Sequence, residues 1–338
     1  MLSPIDNHPS TCAKCCIVRE EHSLLTGADR VSAAWYAFPQ NGGVMAVYTT
    51  GGLSSNDLDH PRELEREAPC RAYLFGYLRI YRGDQRLTLE TSRKKGLHIL
   101  LWFLLNPGKP CSADQFVETL WPEAEPGKAI SGFDVNMHAL KRLLEPELGP
   151  REQSSFIQHH ANRVYTFESA NMWWTDVADL ELLYQRGHAC DNIGDIARAR
   201  FYYRRVSEYV SQGPLLDGES SPWLERYRHR YTLMCSQALT RLMQIDIDCG
   251  ADEDLLESAY QMLRLDRYNQ LANRVIIEAS LRNGNPSRAR RRLEAYCDAV
   301  ERDLGVEPPK DFDELRRQLV GTRVPRNRTL RPANLQMR

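Results

Sequence analysis

The sequence predicts a mainly α chain with a small β component: a three-helix module flanked by strands, then an all-α region of helical repeats. Three observations predict it. Between residues 71 and 168, short β-rich segments bracket three amphipathic helical segments. From 169 to about 310, nearly every segment reads as helix. Within that stretch Gly250 and Gly284 lie 34 residues apart, each before a helix, which is the spacing of a stacked helix-turn-helix repeat.

A length of 338 residues suits about two domains. Net charge is −1, but it is unevenly spread: −4 over residues 1–70, +2 over 71–168, −4 over 169–320 and +5 over 321–338. The basic excess is local, and part of it falls on the three-helix module. Nine cysteines, no basic-then-apolar opening segment and no membrane-length apolar run lead to the expectation of a reduced, cytoplasmic protein with no membrane contact.

Residues 1–68 form an N-terminal extension, expected to be partly disordered, with Gly51–Asp59 as a turn-rich linker. Val31–Phe38 and Val44–Tyr48 each read as a short strand or helix. Cys12, Cys15 and Cys16 make a CxxCC cluster that could hold a metal, but no second ligand pair accompanies it; loosely packed thiols are the plainer reading, and no metal or cofactor is expected.

The second segment, 69–168, opens with Tyr73–Tyr81 and Arg86–Glu90, strands on either side of a Gly83-Asp84 turn. Ser92–Leu105 reads as a helix capped by Ser92 and stopped by Asn106-Pro107-Gly108. Ser112–Trp121 begins with a capping box, Ser112 and Gln115, buries Phe116, Val117 and Leu120, and stops at Pro122. In the third helix, Ala129–Pro146, Ile130, Phe133, Met137, Leu140 and Leu144 fall on one stripe. The opposite face carries Ser131, Val135, His138 and Arg142, with Asn136 and Lys141 nearer its edges. Short polar groups, an aliphatic tip and basic groups are what reads base edges and thymine methyls in a major groove; an ordinary amphipathic surface helix is the alternative. Ser155–Ile157 and Val164–Phe167 are strands around a turn at Asn162, which tolerates left-handed backbone. Strand, strand, three helices, strand, strand is a winged helix-turn-helix.

The segments LFGYLRIYRGDQRLTL, SRKKGLHILLWFLLNPGKPCSADQFVETLWPE and FDVNMHALKRLLEP resemble the DNA-binding domain of OmpR/PhoB-type response regulators. In particular, they are similar to the version at the front of SARP-type bacterial transcriptional activators. The resemblance implies that Val135, Asn136, His138, Lys141 and Arg142 face DNA and that Arg163, in the hairpin, reaches the backbone or minor groove. Arg93 and Lys94, with Lys95, start the first helix; they would contact phosphates or form a solvated basic cluster.

Residues 169–320 are expected to form tetratricopeptide-like helical hairpins. DVADLELLYQRG, GPLLDGESSPWLERYRHR and the stretch from Ala259 to Pro309 resemble the bacterial transcriptional activator domain that follows the winged helix in SARP-type regulators. Trp223-Leu224 and the closing Leu304-Gly305-Val306-Glu307-Pro308 are its clearest marks. By resemblance, this domain would pair protomers as a homodimer on direct repeats of double-stranded DNA, on the bacterial nucleoid, and contact RNA polymerase. Trp173, Trp174, Tyr202, Tyr203 and Trp223 are expected in the core. Arg288, Arg290, Arg291 and Arg292 read as a solvated face or a contact for DNA or an acidic partner. The tail 321–338 is expected to be basic and disordered.

No GxxxxGK[ST], no GxGxxG after a strand, no HExxH and no GxSxG occurs, so no enzyme is expected. No phosphoacceptor receiver domain is expected within residues 1–68, which are too few for one. The reading is a sequence-specific DNA-binding transcriptional regulator. The alternative, motivated by the small net charge and by His138 and Ala139 at positions that are often Arg in the family, is a repeat-built protein-interaction adaptor without DNA affinity.

Overall fold

The computed structural model describes residues 65–88, 94–149, 152–168 and 172–321, with two strands before them. Those strands, β1 (Ala34–Ala37) and β2 (Val44–Val47), pair antiparallel within a separate unit, residues 1–58. Arg93, the capping role given to Ser92, the Cys12, Cys15 and Cys16 cluster and the tail beyond 321 lie outside the described residues.

The described residues from 65 to 321 belong to one unit. Its first sheet holds β3 (Cys70–Tyr73), β4 (Arg79–Arg82) and β5 (Gln85–Leu87) as an antiparallel meander, with Gly83-Asp84 at the β4–β5 turn. Helices α1 (Lys94–Leu105), α2 (Ala113–Leu120) and α3 (Pro126–Leu144) follow, with β6 (Cys111–Ser112) before α2. Strands β7 (Ile157–His160) and β8 (Val164–Phe167) form the hairpin, and β6 adds to β8 in a second sheet of order β6-β8-β7. The capping box is formed by Ser112 and Gln115, as expected. The result is a winged helix-turn-helix with an extra short strand.

The expected strand Tyr73–Tyr81 is interrupted. Gly76 takes φ +71°, and a Cβ there would stand 2.6 Å from the Gln212 carbonyl oxygen, so only glycine allows this close approach. The interrupted stretch serves to dock the helical region. Leu216 N–H donates to Leu74 O at 2.7 Å, Gly76 N–H to Pro214 O at 2.9 Å and Asp217 N–H to Gly76 O at 2.8 Å. A further strand, β9 (Trp173–Thr175), pairs parallel with β3, so the sheet order is β5-β4-β3-β9.

Thr175 then caps α4 (Asp176–Asn192), accepting from Ala178 N–H. Asp176 is fully buried, and its Oδ2 accepts the backbone N–H groups of Leu74 and Phe75 at 2.7 and 2.8 Å. The end of β3 is thereby pinned to the start of α4, where a carboxylate also suits the helix dipole.

Three helical hairpins follow: α4 with α5 (Ile196–Gln212), α6 (Glu225–Cys249) with α7 (Asp252–Leu265), and α8 (Gln270–Arg282) with α9 (Pro286–Ala299). A π-turn, Val300–Leu304, continues α9, and α10 (Asp311–Gly321) closes the stack. Each hairpin turns at an equivalent left-handed glycine: Gly194, Gly250 and Gly284 have φ +78°, +70° and +65°. The next residue's N–H returns to the preceding helix in each case, to Cys190, Asp246 and Ser280, which is the Schellman closure. The tetratricopeptide-like period is therefore visible in the backbone. Of the arginine run, Arg290 donates to Leu319 O and Arg292 to Asn273 Oδ1. These two tie neighbouring helices together and are not merely solvated. Of the expected core aromatics, Trp173, Tyr202 and Tyr203 are buried, while Trp174 and Trp223 are half-buried.

One more buried carboxylate sets the geometry of the hairpin. Glu145, just past α3, accepts from Ser155 N–H at 2.8 Å and from the hydroxyls of Ser154 and Ser155. Ser154 in turn accepts from Ile157 N–H at 2.9 Å. The end of α3 is thus fastened to the root of β7. Glu145→Ala orphans these donors in a buried place and is expected to destabilise the unit by about 2–4 kcal/mol, read as a lower urea midpoint. A change below about 0.5 kcal/mol, the level of an ordinary surface substitution, would contradict this role.

Burial pushes the Asp176 carboxyl up to about 7, above its ordinary value of about 4 in an unfolded chain. The folded state holds this proton more tightly. Its contribution to stability is complete below about pH 4 and is lost as pH rises through about 7. Asp176→Asn keeps an acceptor for both N–H groups and removes the titration. The stability of the variant relative to the parent should therefore rise between about pH 4 and 7 and then level off. A pH-independent difference in urea unfolding would contradict the assignment.

Candidate nucleic-acid interface

The third helix presents the expected faces. Phe133, Met137, Leu140 and Leu144 are buried, with Ile130 half-buried. Ser131, Val135, His138 and Arg142 are exposed along one line, and Val135 is 66% exposed. A single exposed aliphatic side chain is ordinary on a protein surface; here it supplies the one aliphatic tip on a line of polar and basic groups. Ser131 donates to the Gly127 carbonyl at 2.9 Å, so its oxygen keeps acceptor capacity. Arg142 reaches back toward Leu148 O at 3.4 Å and remains exposed.

A chain of rings holds this helix from below. Phe103 of α1 meets Phe116 of α2 at 5.3 Å, Phe116 stacks on Phe133 of α3 at 5.5 Å, and Phe133 meets Tyr165 of β8 at 5.4 Å. Phe103 also stacks on Phe167 at 5.5 Å. Such contacts contribute beyond their buried area and connect all three helices to the hairpin. Gly132 lies against Trp121, where a Cβ would sit 3.2 Å from the indole nitrogen.

The flanking residues are placed differently from the exposed line. Asn136 is half-buried: its amide donates to Gly132 O at 2.8 Å, and its side chain lies beside Gly96 of α1. It lies at the edge of the exposed line, where α3 meets α1. Lys141 is half-buried with its Nζ 5.9 Å from the Tyr165 ring centroid, and burial lowers its pKa. It lines the seam between α3 and the hairpin. Lys94 is exposed at the first residue of α1. Lys95 instead donates to Leu120 O and lies over the Trp121 ring, which caps the end of α2.

The hairpin carries His159 stacked on Tyr165 at 4.8 Å and His160 bonded to Thr166 Oγ1 at 2.8 Å. At its tip Asn162 and Arg163 both adopt left-handed backbone, φ +58° and +56°. Asn162 was legible as such a residue; Arg163 was not. Arg163 is exposed and bonded to Asp134 of α3. Asp134 and Glu145 are the two residues here that the sequence reading passed over. Each is an acid within or next to a segment read for its bases, and only the fold brings each to its partner.

Residues 175–320 match the family described as bacterial transcriptional activator domain. Among curated proteins, the chain is 22% identical over 289 residues to the regulatory protein AfsR of Streptomyces coelicolor, covering 81% of this chain and 28% of the relative. It is 20% identical over 253 residues to AfsR of Streptomyces griseus, covering 74% of this chain and 24% of the relative. The chain thus spans about a quarter of the length of these relatives. Among solved structures, Mycobacterium tuberculosis EmbR, determined in complex with a low affinity phosphopeptide, superposes with a TM-score of 0.59 at 18% identity, over 75% of this chain and 66% of that one. That likeness shows a shared fold. No helix among the described residues is long and apolar enough to cross a membrane. The resemblance to SARP-type transcriptional regulators therefore holds across both modules, a winged helix-turn-helix followed by a bacterial transcriptional activator domain.

Proposed function

We propose that the chain is a sequence-specific DNA-binding transcriptional regulator, not an enzyme, acting as an activator. The observation that carries this reading is the exposed line Ser131, Val135, His138 and Arg142 on a helix held rigidly from behind and flanked by a hairpin. A major groove admits a helix, and these side chains supply an aliphatic contact for thymine and donors and acceptors for base edges. Lys94 and the hairpin would fix register through phosphates. The tetratricopeptide-like hairpins, which expose broad helical surfaces, would serve protein contacts: a second protomer on direct repeats and RNA polymerase.

Binding of the full chain to a random duplex, followed by anisotropy across a salt series, tests the first step. A regulator of this kind loses affinity steadily with salt, because phosphate contacts release counterions; an adaptor shows no salt-dependent binding. Arg142→Ala should weaken binding to a duplex selected from a random pool by about 1–3 kcal/mol and relax the preference at one position. Unchanged affinity and preference for that variant would contradict the proposed docking.

A further inference from the structure

Asp134 is the only acidic residue of α3. It lies beside Val135 on the part of the helix turned toward the hairpin, and it is half exposed. Its carboxylate holds the guanidinium of Arg163, whose own side chain is 43% exposed. The backbone at Asn162 and Arg163 is left-handed at two successive residues, a conformation that non-glycine residues adopt at a cost. This two-residue reversal brings the tip back over α3 within reach of Asp134. The hairpin's cation is therefore engaged by a carboxylate on the same helix that carries the exposed reading line.

We propose that Asp134 is a specificity-determining residue: it restrains Arg163 and sets a like charge against the phosphate backbone. This rests on the DNA-binding reading above. A free Arg163 would bind any duplex, since phosphate contacts carry no sequence information. Pairing it with Asp134 removes one cation from that nonspecific term and adds an anion to the surface. The loss is offset only where the duplex offers a partner for the carboxylate, such as the amino group of a cytosine. A repulsive element of this kind discriminates by weakening the wrong complex more than the right one. It also accounts for an acid in the middle of a face that is otherwise polar, aliphatic and basic.

The test uses the full chain and two duplexes, one random and one selected from a random pool, with binding read by anisotropy across a salt series. Asp134→Asn is close to isosteric on an exposed helical surface, and an unchanged urea midpoint serves as its control for folding. Removing one surface charge interaction corresponds to about 5-fold. The variant should bind random duplex about that much more tightly, with a salt slope steeper by about one, and its preference for the selected duplex should fall. Arg163→Ala should cost more affinity in the Asp134→Asn background than in the parent, since only there is the guanidinium free. The proposal is overturned if Asp134→Asn leaves random-duplex binding unchanged or weaker, or if Arg163→Ala costs the same in both backgrounds. Absence of salt-dependent binding by the parent chain overturns the DNA-binding reading itself, and is distinguished because the other failures are measured on a parent that binds.

Discussion

The structure depends on a buried carboxylate. Asp176 stands at the first turn of the first repeat helix and accepts the N–H groups of Leu74 and Phe75, at the end of the first strand of the winged module. Without it, two backbone donors would be left in an apolar junction. With it, the polypeptide can leave the sheet, turn at Gly76 and receive the Pro214–Asp217 segment as a backbone partner. Phe75 then packs between Tyr209 and Tyr231. Asn106, at the end of α1, donates to the Tyr227 hydroxyl at 2.6 Å. Strand β9 completes the join by extending the winged module's sheet with residues that lead directly into the repeats. The two modules share one core, so the orientation of the exposed helix is set by the repeat domain and not by a linker.

Polar groups inside this junction are placed by the same logic. Asp179 and Glu181 lie on the same helix as Asp176; burial raises the pKa of each, and each accepts a tyrosine hydroxyl, from Tyr209 and Tyr231 respectively. Buried acids are tolerated where hydrogen-bond donors are aimed at them. The winged module repeats the device at Glu145, which secures the hairpin to the end of α3. Rigid placement of helix and hairpin therefore comes from an aromatic chain on one side and a carboxylate clasp at the other end. Both support the surface from positions that do not themselves face outward, which is what precise recognition requires of a scaffold.

Local signals in the sequence translated well into structure. The capping box at Ser112 and Gln115, the packed stripe Phe133–Leu144, the left-handed Asn162 and the 34-residue glycine period all appear, because each is decided within a few residues or one repeat. Pairings between distant segments were not legible. Tyr73–Tyr81 has the composition of one strand and is two, because Gly76 answers to Gln212, far along the chain. Strands β6 and β9 are two and three residues long and exist through their partners. Helical phase puts Asn136 at the edge of the exposed face, and its closeness to Gly96 of α1 comes only from the fold. Arg290 and Arg292, read as a solvated face or a contact for DNA or an acidic partner, bond instead to neighbouring helices. The Asp134–Arg163 pair joins two segments that the sequence presents separately, and charge counting alone does not connect them.

The central claim is that the outward line of α3 lies against bases. Photo-crosslinking from position 135 measures this most directly, with a photoreactive residue replacing Val135 and the same residue placed at Ile193, an 80% exposed site on the repeat domain, as the comparison. The account predicts that position 135 crosslinks to bases of a bound duplex and that position 193 does not. Equal crosslinking from both positions, or crosslinking from 193 alone, would contradict it.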